Sequence, residues 1–157
     1  VIRAEEGEIK PCIMHSDGLK GEVLACESRH QKDWQEKEKA KETLLRMDGK
    51  EVFKFAVKKV PEVITELLEK TAYTENDIDW FILHQANQRI IESVAKRMKQ
   101  DIEKFPINIS EYGNTSSASI PILLDEMNRS GKLKRGQKLV FAGFGAGLSW
   151  GATLVEW

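Results

Sequence analysis

An α/β fold is what this sequence predicts: a layered mixed sheet flanked by helices, closed by an antiparallel C-terminal hairpin. Three observations predict it. Short apolar runs of strand length alternate with longer stretches whose apolar residues recur at helical spacing. The run WFILH, Trp80 to His84, is apolar on both alternating faces, as a central strand covered on both sides would be. The chain closes with KLVFAGF and LSWGATLVEW around a glycine turn, which reads as a hairpin.

In order along the chain, VIRA, IKPCIMH and EVLA are strand-like pieces. Gly7, Asp17, Gly18 and Gly21 punctuate them, and this is hairpin chemistry. Residues 27–47 read as a charged surface loop or helix. Nearly every second residue from Glu27 to Lys41 is charged, and Trp34 is the only large apolar one. Asp48 and Gly49 then open a long helix with Val52, Phe53, Ala56, Val57, Val60, Val63, Ile64, Leu67 and Leu68 at helical spacing. Pro61 removes a hydrogen bond to the Val57 carbonyl, so a kink is expected there. After WFILH comes a helix from about Asn87 to Lys99, carrying Ile90, Ile91, Val94, Ala95 and Met98 on one face. FPINIS reads as a short strand. Ser117 to Ser130 reads as an amphipathic helix on Ile120, Leu123, Leu124 and Met127, ended by Gly131.

Composition narrows the function classes. The 157 residues are 41% hydrophobic and 31% charged, an ordinary balance for one globular domain. A net charge of −1 and no basic–aromatic ladder argue against nucleic acid as a partner. No apolar run reaches the roughly 20 residues of a membrane-spanning helix, and a cytoplasmic location is expected. The chain starts at Val1 rather than a methionine, so it is read as a possible piece of something longer. Two cysteines do not make a disulfide framework. The pairs Cys12/His15 and Cys26/His30 have zinc-ligand residue types, but Cys12 and His15, three apart on a strand, point to opposite faces. No metal is expected.

Three polar features fall where strands end: His84, Asn114 in EYGNTSSAS, and the turn Gly143 to Gly147. Ligands of α/β sheets gather outside the carboxyl ends of strands, so these are candidates to converge on one pocket. Each alone also fits a structural role: a hydrogen-bonded histidine, a turn asparagine, a plain connection. Together they supply uncharged donors suited to negative charge on a carbonyl oxygen. No nucleophile accompanies them, because neither cysteine lies at a helix N-terminus beside cations.

HQANQRI, EYGNTSSASIPILLDE and GFGAGLSWGATLVEW, with MDGKEVFKFAV and HSDG upstream, resemble the C-terminal half of the β-ketoacyl-acyl carrier protein synthase III family. Chalcone synthase and other thiolase-like enzymes share the His and Asn but match the flanking residues less well. The resemblance implies a thiolase-like half, residues 1–157 forming a single C-terminal subdomain. It implies an acyltransferase that condenses an acyl-CoA primer with malonyl carrier protein by decarboxylative Claisen condensation, starting fatty acid synthesis. His84 and Asn114 match the catalytic pair that stabilises the enolate. Phe144 matches the ring beside the malonyl carboxylate, and Ala146 stands where the family often has an oxyanion-hole glycine.

The same resemblance assigns Gln85, Ala86, Asn87, Gln88 and Arg89 to carrier-protein binding, and Gly49 and Asn87 to the pantetheine arm. It gives Lys54, Arg89, Lys96 and Arg97 the basic docking patch for acyl carrier protein. Arg89, Lys96 and Arg97 also lie, by helical spacing, away from Ile90, Ile91 and Val94. No cofactor is implied, since acyl-CoA and carrier phosphopantetheine are substrates. The family's nucleophilic cysteine belongs to an N-terminal half without a match here, so the chain alone is expected to be inactive and the whole enzyme a homodimer. The alternative is a non-catalytic acyl carrier protein and pantetheine-binding module.

Overall fold

The computed structural model describes residues 11–26 and 45–157. VIRA and most of the charged segment therefore lie outside the described residues. Four strands build the main sheet: β1 (Cys12–Ser16), β4 (Trp80–Leu83), β5 (Lys138–Gly145) and β6 (Ser149–Glu156). Their order is β1-β6-β5-β4, with β4 parallel to β5 and the other two pairs antiparallel. A second ribbon pairs β2 (Leu24–Cys26) with β3 (Leu45–Met47).

Among the described residues, the hairpin expected across Asp17, Gly18 and Gly21 is not formed. β1 pairs with β6 from the far end of the chain, and Asp17 continues that ladder through Leu148, N–H to carbonyl in both directions at 2.7 and 2.9 Å. The Asp17 side chain accepts from the Leu19 N–H, starting a 3-10 stretch at Gly18–Val23 instead of a two-residue turn. EVLA then finds its partner in Leu45–Met47, so the end of the segment read as loop or helix is a strand.

Helix α1 (Gly49–Glu69) starts where Asp48 Oδ1 accepts the N–H groups of Lys50 and Glu51, both at 3.0 Å. It continues unbroken through Pro61, whose ring is buried. Helix α2 (Gln88–Met98) is capped by the Asn87 side chain and ends on Lys99 in the left-handed region. A one-turn helix α3 spans Ile109–Tyr112, and α4 spans Ser119–Arg129. Gly131, at φ 73°, lets the Lys132 N–H return to the Met127 carbonyl and stops α4 as expected.

The helices sandwich the sheet. α1 and α2 cover one face, where Ala56, Val60, Ile64, Leu67, Ile91 and Val94 meet Phe81, Leu83, Val140 and Ala142. α4 covers the other, where Leu123, Leu124 and Met127 meet Ile82 and Leu139. Alternate residues of β4 therefore enter opposite cores, which is why WFIL is apolar throughout. β4 is nevertheless the edge strand of the four, not a central one. The expected FPINIS strand does not form, because Pro106 has no N–H to donate and the Asn108 N–H is taken by the Gln85 side chain.

Gly151, opposite Met14, has no room for a side chain: a Cβ there would lie 2.7 Å from the Ile13 carbonyl. Gly151→Ala is expected to push β1 off β6 and lower stability by about 1–3 kcal/mol. Denaturant unfolding of the variant beside the parent checks this.

Candidate active site

β4 ends by handing its last residues to the site. The His84 N–H bonds the Ala142 carbonyl at 2.9 Å, one step beyond the β4–β5 register, so the imidazole is fixed relative to the end of β5. The side chain is half-buried. Nδ1 lies 2.7 Å from Ser119 Oγ, and the Phe144 ring meets the imidazole edge-to-face at 5.4 Å and 67°. Gly143 passes close by, and its missing Cβ would just touch His84 Cβ at 4.0 Å. Phe55 on α1 backs Phe144 at 6.2 Å and Trp150 at 5.3 Å.

Burial lowers the His84 pKa below its ordinary 6.5, because the charged form loses hydration in a pocket that offers no compensating acid. His84 is therefore a neutral imidazole near pH 7, able to donate one N–H. The sign for stability follows. As pH falls through 6.5 the unfolded chain takes up a proton that the folded site resists, so the fold is stabilised above that pH and weakened below it. The loss of stability between about pH 7.5 and 5.5 is expected to be smaller in His84→Gln, measured by denaturant midpoints.

Asn114 sits on the exposed segment before α4. Its Oδ1 accepts the Ser116 N–H at 2.9 Å, which holds the amide in one orientation and leaves Nδ2 without a hydrogen bond among the described residues. Ala146 is exposed at the tip of the β5–β6 turn. His84, Phe144 and the glycine turn are thus brought together, and Asn114 lies five residues before the serine that touches His84.

The residues assigned to carrier binding separate. Gln85 is a correction: it is 1% exposed and reaches inward. Its Nε2 donates to the carbonyls of Leu83 (2.9 Å) and Pro106 (3.4 Å), and its Oε1 accepts the Asn108 N–H at 3.2 Å. A side chain so held ties β4 to the 105–108 segment and cannot reach a partner. Ala86 is partly buried against the core, whereas Asn87, Gln88 and Arg89 are exposed. Asn87 Oδ1 caps α2 by accepting the Arg89 N–H at 2.8 Å.

Gly49 is exposed with open space around its Cα. Lys54 pairs with Glu51 at 2.7 Å, which raises the Lys54 pKa by hydrogen bonding and then by charge. The Arg89 guanidinium lies 6.0 Å from the centre of the Phe53 ring of α1.

Arg97 is exposed in the last turn of α2. It borders a groove of about 430 Å³ with Glu62, Glu66, Glu69 and Glu75, eight residues from Arg89, roughly 12 Å along the helix axis. Lys54 and Arg89 thus lie near the starts of α1 and α2, whereas Lys96, next to Arg97 in the last turn of α2, is exposed.

Both cysteines lie on strands and are exposed. His15 Nε2 meets Glu66 Oε2 at 2.7 Å and lowers the Glu66 pKa, joining β1 to α1. His30 falls outside the described residues, where the second Cys/His pair cannot be followed. Sequence reasoning missed Ser119 and Phe55. A serine on the buried stripe of α4, one turn before Leu123, was the available signal for the first.

A mixed sheet between helical layers, with a neutral histidine at a strand end beside a glycine-rich hairpin, is a thiolase-like arrangement. The family profile described as 3-Oxoacyl-[acyl-carrier-protein (ACP)] synthase III C terminal matches residues 68–157, and the chain belongs to that family. The beta-ketoacyl-[acyl-carrier-protein] synthase III of Microcystis aeruginosa is 57% identical over 113 residues, 72% of this chain and 34% of that protein. Its counterpart in Clostridium novyi is 47% identical over 158 residues, 100% of this chain and 49% of that protein. The crystal structure of 3-oxoacyl-[acyl-carrier-protein] synthase III from Aquifex aeolicus superposes with a TM-score of 0.86 at 37% identity. That match covers 99% of this chain and 46% of the other. The chain spans half or less of the length of these relatives.

Proposed function

We propose that this chain is the decarboxylating half of a 3-oxoacyl-acyl carrier protein synthase III, acting on the malonyl thioester of acyl carrier protein. The observation that carries this reading is the half-buried, neutral His84 at the end of β4, edge-on to Phe144 in a chain of this family. In this reading the imidazole N–H and the Asn114 Nδ2–H serve as uncharged donors to the thioester oxygen. Breaking the bond to the malonyl carboxylate releases CO2 and leaves an electron pair that becomes an enolate, its charge on that oxygen. Fixed donors stabilise the enolate more than the starting ester, which lowers the barrier. Phe144 gives the departing carboxylate no counter-charge, and Ala146 contributes a backbone N–H at the turn. The enolate carbon then attacks an acyl thioester on a cysteine, forming the carbon–carbon bond and releasing the thiolate.

That cysteine comes from outside this chain, in an N-terminal half loaded from acyl-CoA. Cys12 and Cys26 are exposed on strands, without a helix N-terminus to favour the thiolate. The test is turnover. With acetyl-CoA and malonyl carrier protein the 157-residue chain gives no condensation product, and a polypeptide joining it to a cysteine-bearing synthase half gives one. Product from the chain alone overturns the division of labour.

Acyl carrier protein, an acidic partner, docks at Arg89 and Lys96 under this reading, so binding weakens with salt. Reversal to Glu at both positions is expected to weaken carrier-protein affinity by about tenfold or more, read by titration at low and high ionic strength. Unchanged affinity would remove the docking surface.

A further inference from the structure

Ser119 is the first residue of α4 and is 3% exposed. Its Oγ receives the Gln85 backbone N–H at 3.2 Å and lies 2.7 Å from His84 Nδ1. A hydroxyl has one hydrogen to donate, and leaving it without an acceptor inside a protein carries the full desolvation penalty. Among the described residues no other acceptor lies within hydrogen-bonding distance of this oxygen, and no buried side-chain polar atom lacks a partner.

The two ways of sharing the 2.7 Å contact are therefore unequal. If Nδ1–H donated to the serine, Oγ would accept two N–H groups and its own hydrogen would have nowhere to go. If the serine donates to Nδ1, every group is satisfied: the Gln85 N–H bonds Oγ, the O–H bonds Nδ1, and the ring hydrogen resides on Nε2.

We propose that Ser119 is a positioning residue that holds His84 in the Nε2–H form, so that the ring atom facing away from α4 is a hydrogen-bond donor. One buried hydroxyl thereby decides whether the site presents a donor or an acceptor to a carbonyl oxygen. Gln85 contributes through its backbone, since its N–H is a donor that takes one of the two oxygen lone pairs and leaves Nδ1 as the acceptor for the serine hydrogen. The groups packed against the imidazole, Phe144 and Gly143, are uncharged and favour neither nitrogen. The catalytic consequence rests on the enolate-stabilising role proposed above, whereas the position of the hydrogen does not.

Nitrogen NMR of the labelled protein above pH 7 tests it, with His84 assigned among the three histidines by its loss in His84→Gln. In the parent, Nε2 should give the signal of a protonated nitrogen and Nδ1 that of a bare nitrogen shifted by accepting a hydrogen bond. In Ser119→Ala, Nδ1 should move to the unbonded position or the ring should become a mixture of both forms. Ser119→Thr, which keeps the hydroxyl, should restore the parent pattern, and the amide spectrum of each variant reports on its fold. A parent ring protonated at Nδ1 overturns the proposal, as do ring shifts that stay the same in a folded Ser119→Ala. If the ring responds as expected while decarboxylation by the joined polypeptide is unchanged in Ser119→Ala, the positioning role stands and the use of His84 as a donor to the enolate fails.

Discussion

His84→Ala, in a polypeptide that joins this chain to a cysteine-bearing synthase half, should slow malonyl decarboxylation by about 10²–10³-fold while primer transfer to the cysteine stays near normal. The magnitude is that of one preorganised donor to a developing oxyanion. Under the proposed reading the separation of the two steps follows from where the charge appears: decarboxylation puts it on the thioester oxygen assigned to His84 and Asn114, and acylation puts it near the cysteine. Asn114→Ala should show the same split, since its Oδ1 is held by the Ser116 N–H and Nδ2 is the group it has to offer. The double variant should lose less than the product of the single losses, because donors to one oxygen act as a unit. Release of CO2 and acyl transfer, followed separately, check all three variants. His84→Ala also removes the acceptor of the Ser119 hydroxyl, so unfolding midpoints belong beside the rates.

Gln85→Ala should lower stability by about 2–4 kcal/mol, because it leaves the buried Asn108 N–H without its acceptor and takes a donor from the Leu83 and part-buried Pro106 carbonyls while opening a void. The urea midpoint should fall with its slope unchanged. Gln85→Glu should cost at least as much, since it places a buried carboxylate oxygen against the Leu83 carbonyl. The 105–108 segment ends in Asn108, whose Nδ2 bonds Glu126 of α4 at 2.8 Å. Loosening Gln85 therefore loosens the link between β4 and the helix that carries Ser119. Stability loss under about 0.5 kcal/mol would mean that this buried network has an alternative arrangement.

The parts of the fold legible in the sequence were those set by local chemistry. Asp48 and Asn87 announced the starts of α1 and α2, Gly131 the end of α4, and the glycine turn the β5–β6 hairpin. The double-sided apolarity of WFIL correctly implied two covered faces, but a covered face says nothing about edges, and β4 proved to be one. The pairing of β1 with β6 was hidden for a similar reason: register between distant strands is decided by which edges meet, not by the glycines between neighbours.

At the site, the strand-end rule pointed to His84 and the turn Gly143 to Gly147, while Phe144 was named by the family resemblance. It could not distinguish Gln85 from its exposed neighbours in HQANQ, because a polar side chain enters a core only when partners far along the chain satisfy it. Arg97 shows the same limit on the surface. Helical spacing placed it outward, and the glutamates of α1 decided what it faces.

The central claim, that His84 and Asn114 serve the step after primer loading, is tested most directly by trapping. The joined polypeptide carrying His84→Ala and Asn114→Ala is incubated with acetyl-CoA, then with malonyl carrier protein, and its intact mass is followed. The account predicts that the acetyl group loads onto the cysteine and remains there. Failure to load, or discharge of the acetyl group at the rate of the parent enzyme, would contradict it.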